Sequence, residues 1–308
     1  MNKLDELKTC VSTYNIDVIC VTETHLKDTI LDAEIEIAGY KFHRKDRNFD
    51  INVGDIVDYE EYFGDGESSS GGGSIIYYKE NLKAKLVNDF YKLAPDSLAI
   101  ELDSNIGKFC ITCVYRSPNL SQSLNSVLLS CLKDICNERN IFETVLVGDF
   151  NLPDISWDTC NLKTSNITTN KIFLQQLEFM DLFNQLGMKW YLINEITRRK
   201  LVKGVLQESL LDQVLYTNEA LVSEVKLLSS LGKSDHLSMK IELGISLKKQ
   251  PKPIKAIKKP SWSKITCDDI LNYSLSNIDW NYSSDTLDSQ EMWNELHGKL
   301  YKVAFKSS

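Results

Sequence analysis

Thr144-Val-Leu-Val-Gly-Asp-Phe-Asn-Leu-Pro153 decides how the rest of the chain is read. Thr144 to Val147 form a short apolar run of the kind that buried strands show. Gly148 permits a tight approach, because it has no Cβ to collide with a neighbouring backbone. Asp149 and Asn151 then follow just past the strand, where polar groups are held by a rigid element yet reach its end. A strand-terminal acid is by itself more often a turn or cap residue than a ligand, so the flanking sequence has to support any chemical role.

Working outward, Leu124, Val127, Leu128, Cys131, Leu132 and Ile135 recur at helical spacing before this strand, and a second helix is expected over roughly Lys171 to Asn184. Nearer the start, Leu4, Leu7, Cys10, Val11 and Tyr14 mark a helix feeding the apolar run Ile16 to Val21. Strand-like runs at Ser74 to Tyr78, Lys83 to Val87, Ser97 to Leu102 and Lys108 to Tyr115 suggest an antiparallel meander. Further candidates lie at Met188 to Ile193, Leu211 to Tyr216, Leu221 to Leu228 and His236 to Leu243. The expected fold class is α/β: a layered α/β sandwich with two mixed, mainly antiparallel sheets flanked by helices.

That domain is expected to cover residues 1–245, with an exposed acidic loop at 48–70. Lys248 to Lys259 reads KKQPKPIKAIKK, with six lysines, two prolines and no acid, so residues 246–261 read as a linker. Its lysines suit a solvated spacer or contact with nucleic-acid backbone. Residues 262–308 then form a small, helical, tryptophan-bearing segment. The apolar runs fall far short of the roughly 20 residues that span a bilayer, and Met1 to Glu6 lacks the apolar stretch of a secretory signal. No membrane partner is expected, and the expected setting is intracellular, in nucleus or cytoplasm. In that setting the eight cysteines are reduced thiols. Cys110 and Cys113 form a lone CxxC, but three apart on a strand they face opposite sides, so they read as buried structural thiols.

Other polar groups stand at strand ends as Asp149 and Asn151 do. Glu23 follows the Ile16 to Thr22 run, where its carboxylate could hold an oxygen-loving cation such as Mg²⁺, and Asp235 and His236 open the last strand. Cutting a phosphodiester needs an activated water, neutralisation of developing charge and help for the leaving oxygen, and carboxylates, an amide, a phenol and an imidazole supply these.

Six blocks carry a specific likeness: Val21-Thr-Glu-Thr-His-Leu26, Gly71-Gly-Gly-Ser-Ile-Ile-Tyr77, Val114-Tyr-Arg-Ser-Pro-Asn119, Gly148-Asp-Phe-Asn-Leu-Pro153, Leu211-Asp-Gln-Val-Leu215 and Ser234-Asp-His236. In this order they resemble the endonuclease/exonuclease/phosphatase superfamily, and in particular its non-LTR retrotransposon branch of apurinic/apyrimidinic-like endonucleases. The resemblance implies a Mg²⁺-dependent DNA-nicking endonuclease, with Mn²⁺ as a possible substitute. It implies Tyr115, Asp149, Asn151, Asp212 and His236 as catalytic residues and Glu23, Asp149, Asn151 and Asp235 as metal ligands. Tyr115 would serve the transition state, Asp149 the attacking water and His236 the phosphate, with Asp212 orienting the imidazole. Arg116, Asn119, Thr197 and Arg198 fall where the family contacts its substrate. The basic run and tryptophan-bearing tail resemble the stretch that joins such an endonuclease to a reverse transcriptase, which would be a further partner.

Two features depart from the family pattern. The family's first strand carries an Asn that joins the metal site, whereas this sequence starts at Met1 in the segment that follows, so an internal strand is expected to be lacking. The second is the acidic stretch. Asp50, Asp55, Asp58, Glu60, Glu61, Asp65 and Glu67 occur there without a Lys or Arg and account for most of the formal charge of −8, and over a DNA face they would repel phosphate. Two rival readings stand beside the endonuclease: a truncated, inactive remnant that at most binds nucleic acid, and a phosphatase or sphingomyelinase relative.

Overall fold

The computed structural model describes residues 3–46, 71–138, 141, 143–159, 161–163, 171–192 and 194–250, together with 266, 268, 272, 276 and 288–306. The acidic loop at 48–70 lies outside the described residues. The chain divides into two compact units, Met1–Pro251 and Lys252–Ser308. No described helix is long and apolar enough to cross a membrane.

Alternating side chains build the first unit in layers. A six-stranded sheet runs in the order β10-β13-β7-β6-β5-β4, comprising β4 (Ala84–Leu86), β5 (Leu98–Ser104), β6 (Gly107–Tyr115), β7 (Glu143–Asp149), β10 (Lys189–Trp190) and β13 (Asp212–Tyr216). Only β6 and β7 pair in parallel, and α3 (Gln122–Cys136) makes the crossover between them. Ser121 caps α3 by accepting the Leu124 N–H at 3.3 Å. A three-stranded antiparallel sheet has the order β1-β3-β2, from β1 (Val18–Thr22), β2 (Tyr40–Lys45) and β3 (Ser74–Lys79). Two-stranded pairs join β8 (Ile155–Ser156) to β9 (Asn161–Leu162), β11 (Arg198–Val202) to β12 (Val205–Ser209) and β14 (Val222–Leu228) to β15 (Ser238–Leu243).

Three apolar clusters are the fillings between layers. Val11 of α1 (Leu4–Tyr14) packs with Ile19, Ile75 and Tyr77 on one face of the small sheet. Its other face, through Ile76 and Tyr78, meets Leu98, Ile111, Cys113, Val145, Val147 and Val214 of the large sheet. The far face of the large sheet, through Cys110, Val114, Leu146 and Leu215, meets α3 and α4 (Lys171–Gln185). Cys110 and Cys113 therefore point into different layers, as period-two alternation requires. The short helix α2 (Asn88–Leu93) buries Phe90 against the same helical layer.

In the described residues β1 is laddered only to β3, and β15 only to β14. Both nonetheless contribute partly buried apolar side chains, Val18 and Cys20 from β1 and Met239 and Ile241 from β15, to the filling between the sheets. The opening residues of the expected linker are tied down. Lys248 donates its N–H to Asp103 at 2.8 Å, and Leu82 bridges Lys249. In the second unit, Ser289–Lys306 forms helix α5.

Candidate active site

Register assembles the centre. Tyr115 lies opposite Asp149 in the parallel ladder, and Asp149 lies opposite Asp212 in the antiparallel one. Residues in one row of a sheet present side chains to the same face. On these strands that face is the one of Cys113, Val147 and Val214, the apolar filling between the two sheets. Tyr115, Asp149 and Asp212 thus continue the inter-sheet layer where its apolar residues stop, and the small sheet supplies Glu23 just beyond β1. Gly148, at φ +136°, makes the row possible, because a Cβ there would stand 2.0 Å from the Val114 carbonyl oxygen.

Two hydrogen-bonded pairs flank Asp149. The Tyr115 hydroxyl donates to Glu23 Oε1 at 2.6 Å, and His236 Nδ1 lies 2.8 Å from Asp212 Oδ2. The imidazole Nε2 is 4.0 Å from Asp149 Oδ2. Asn151 closes the third side, its backbone N–H donating to Asp149 Oδ1 at 3.0 Å and its amide to Oδ2 at 2.9 Å. Glu23 and Asn151 both adopt left-handed backbone, φ 52° and 47°, a conformation that costs a non-glycine residue about 1–2 kcal/mol unless its surroundings hold it. They are held here. Thr24 donates its N–H to Gly73 and His25 to Gly72, while Ser97 Oγ accepts the Tyr115 N–H at 3.0 Å.

Electrostatically, carboxylates dominate the centre. Asp149 is 3% exposed; burial, then Asp212 and Glu23 nearby, push its carboxyl from 3.8 up to about 8 against the opposing pull of His236 and the Asn151 N–H. Burial disfavours the charged imidazole of His236, but the hydrogen bond and charge of Asp212, aided by Asp149 and Asp235, outweigh it and raise its pKa. Ligand atoms of Asp149, Asp212 and His236 lie within 4.8 Å of one another, the one such group among the described residues. A divalent cation beside Asp149 would supply the charge that this carboxylate lacks and meet the oxygen ligands that hard cations prefer, with Asp212 and His236 already committed to each other.

The remaining sequence candidates divide. Asn119 is exposed on the turn after β6, and Arg198 is half-buried at the base of the β11–β12 hairpin, where His236 bridges it. Arg116 and Thr197 are fully buried, so neither presents its side chain at the surface. The Thr197 hydroxyl accepts the N–H groups of Leu211 and Asp212 at 3.1 Å each, so it steadies the strand that carries Asp212. Asp235 pairs with Arg198, whose Nε donates to it at 3.0 Å; burial opposes the ionised form, but that arginine holds the Asp235 carboxyl below its usual range. Ser97, which grips the Tyr115 backbone, was not anticipated. A serine just ahead of a strand carries no signal that would have marked it.

The comparisons agree on the fold. The endonuclease domain of TRAS1, a telomere-specific non-LTR retrotransposon, is similar with a TM-score of 0.52 and 12% identity, covering 81% of this chain and 94% of that one. The catalytic domain of Xenopus laevis APE2 is similar at 0.50 and 12%, covering 78% and 87%. The Neisseria 3′ phosphatase NExo bound to product DNA hairpin is similar at 0.50 and 13%, covering 78% and 94%. No curated protein matches the sequence. A sequence profile of the endonuclease/exonuclease/phosphatase family matches residues 1–236, and the chain belongs to that family of nucleases and phosphatases.

Proposed function

We propose that this protein is a divalent-metal-dependent phosphodiester hydrolase that nicks DNA, a module of the non-LTR retrotransposon type. The observation that supports this most is the buried Asp149 set between the Glu23–Tyr115 and Asp212–His236 pairs. In this reading Glu23, Asp149 and Asn151 would hold Mg²⁺ or Mn²⁺. The bound cation would offset the phosphate charge and lower the pKa of an attacking water. Asp149 accepts the water's proton as its oxygen bonds to phosphorus, and an ester P–O bond breaks on the opposite side. His236, fixed by Asp212, donates to the phosphate, and the Tyr115 hydroxyl stabilises charge as the leaving oxygen departs.

The substrate class rests on the β11–β12 hairpin. It is rooted beside His236 through the Arg198 bridge and turns at Lys203 and Gly204, both at positive φ. It exposes Arg199, Lys200 and Lys203 together with Leu201, Val205 and Leu206. Basic and apolar groups projecting from one arm beside a hydrolytic centre suit a phosphate backbone with bases behind it. The TRAS1 and DNA-bound NExo likenesses point the same way. A reverse transcriptase module following the basic run is part of the same proposal.

A second reading, a catalytically inert remnant that at most binds nucleic acid, is favoured by the second edges of β1 and β15, which no described strand covers. Magnesium-dependent nicking of supercoiled plasmid separates the two. The assay uses this chain, its Asp149→Ala and His236→Ala variants, and a version extended upstream by one apolar, Asn-bearing strand. Nicking by either parent that both substitutions abolish supports the enzyme. Equal activity in parent and variants refutes the site, and inactivity of both parents leaves the remnant.

A further inference from the structure

Arginine 116 follows the candidate tyrosine directly, yet its side chain turns away from the centre and is fully buried. Its Nε donates to Asn125 Oδ1 of α3 at 3.1 Å, one terminal nitrogen to the Asn151 carbonyl at 3.2 Å, and the other to Gln175 Oε1 of α4. The guanidinium also lies 5.7 Å from the centre of the Phe179 ring. No carboxylate forms an ion pair with it among the described residues. Its charge is answered without direct contact by Asp149 and Glu178, the latter reached through Asn125, which donates onward to Glu178 Oε2 at 2.9 Å. Burying a cation with only neutral acceptors is costly, and an apolar residue would fill the same space without that cost.

The contacts to residues 149–151 suggest what the charge is for. The Arg116 N–H donates to the Asp149 carbonyl at 2.9 Å, the Asn151 amide donates to the Arg116 carbonyl at 2.9 Å, and the guanidinium holds the Asn151 carbonyl. The first two contacts would survive any side chain at position 116, and only the third needs arginine. It fixes the peptide that follows a left-handed Asn151, with the Asn151 amide then committed to Asp149 Oδ2. A planar fork can serve acceptors on α3, α4 and the loop together, which a lysine ammonium on a flexible stem does poorly.

We propose that Arg116 is a positioning residue that locks Asn151, and through it the Asp149 carboxylate, against the helical layer. The proposal rests on the reading of Asp149 and Asn151 as the hydrolytic centre. The test pairs Arg116→Lys with Gln175→Leu. Hydrogen exchange of the Asn151 backbone and side-chain amides is followed by NMR in metal-free protein, and kcat and KM are measured separately for plasmid nicking. With Arg116→Lys folded, Asn151 exchange is expected to rise at least about tenfold relative to β6 amides. The expected loss in kcat is about 10- to 100-fold, the range for partners that orient ligating groups, with KM within about threefold.

A raised KM with unchanged kcat would make Arg116 a substrate contact and overturn the proposal, as would unchanged exchange at Asn151. A fall in overall stability with uniform exchange would mark a merely structural arginine. If Arg116→Lys does not fold, Gln175→Leu is judged by the same exchange criterion. If the parent chain does not nick DNA, the hydrolase reading falls, and Asn151 exchange alone decides the role of Arg116.

Discussion

Replacing Asp149 with asparagine should strengthen the metal-free fold while abolishing activity, because the residue is electrostatically misplaced until a cation arrives. Its carboxyl is pushed from 3.8 to about 8, so the folded state holds a proton that the unfolded state releases near pH 4. The sign follows from that order. Stability assigned to this group is complete below pH 4 and is lost as pH rises through about 8. Each pKa unit corresponds to about 1.4 kcal/mol, so the roughly three units between the unfolded value and pH 7 make the ionisable side chain cost about 4 kcal/mol there. Asparagine escapes that cost but cannot accept from both the N–H and the amide of Asn151, a loss of about 1–2 kcal/mol. The net effect of Asp149→Asn is a gain in stability at pH 7 that shrinks as pH falls towards 5. Urea denaturation in EDTA at pH 5, 6 and 7 measures this. In saturating Mg²⁺ the order should invert, since the parent gains the linkage term of a bound ion and the variant loses it. A variant less stable than the parent at every pH, with no slope in the difference, would refute the charge argument.

Three further outcomes are expected. Asp212→Asn should bring the raised His236 titration down towards or below the ordinary histidine value, because burial then meets less opposition; an NMR titration of metal-free protein that leaves the midpoint unchanged would mean Asp212 does not control the imidazole. Gly148→Ala should cost roughly 4 kcal/mol or more, since its Cβ would lie 2.0 Å from the Val114 carbonyl oxygen at a φ of +136°, and loss of the cooperative melt is the readout. Lys200→Ala with Lys203→Ala should flatten the dependence of log Kd on log salt by about 0.9 per phosphate contact removed, leaving the melting temperature within a degree or two; an unchanged slope would take the hairpin off the DNA.

How much of this was legible in the sequence depends on which interactions are local. The strand ending at Asp149, the two long helices and the CxxC facing two ways follow from periodicity, which records which side of a segment meets the core. Strand β2 packs Phe42 on the filling around Ile19 and Ile75, but Lys41, His43, Arg44 and Lys45 interrupt its apolar signal. The β11–β12 hairpin is exposed over most of its length, so no burial pattern marks it, and only the Lys203-Gly204 pair hinted at a turn. That omission carried into the site, because the arginine that claims Asp235 stands on the hairpin.

The burial of Arg116 and Thr197 was hidden from the sequence for a related reason. Their neighbours in sequence are site residues, but their side chains are held by groups distant in sequence, Asn125, Asn151 and Gln175 in one case and the turn into β13 in the other. Proximity along a strand says little about destination, because successive side chains leave opposite faces. Tyr115 shares the face of Cys113, towards the small sheet, whereas Arg116 follows Val114 towards the helices. The centre is consequently a property of register more than of any motif. Tyr115, Asp149 and Asp212 meet because three strands are aligned in one row, and a one-residue slip of β13 would turn Asp212 to the helical face and bring Leu211 or Gln213 into its place, neither of which carries a carboxylate to pair with His236.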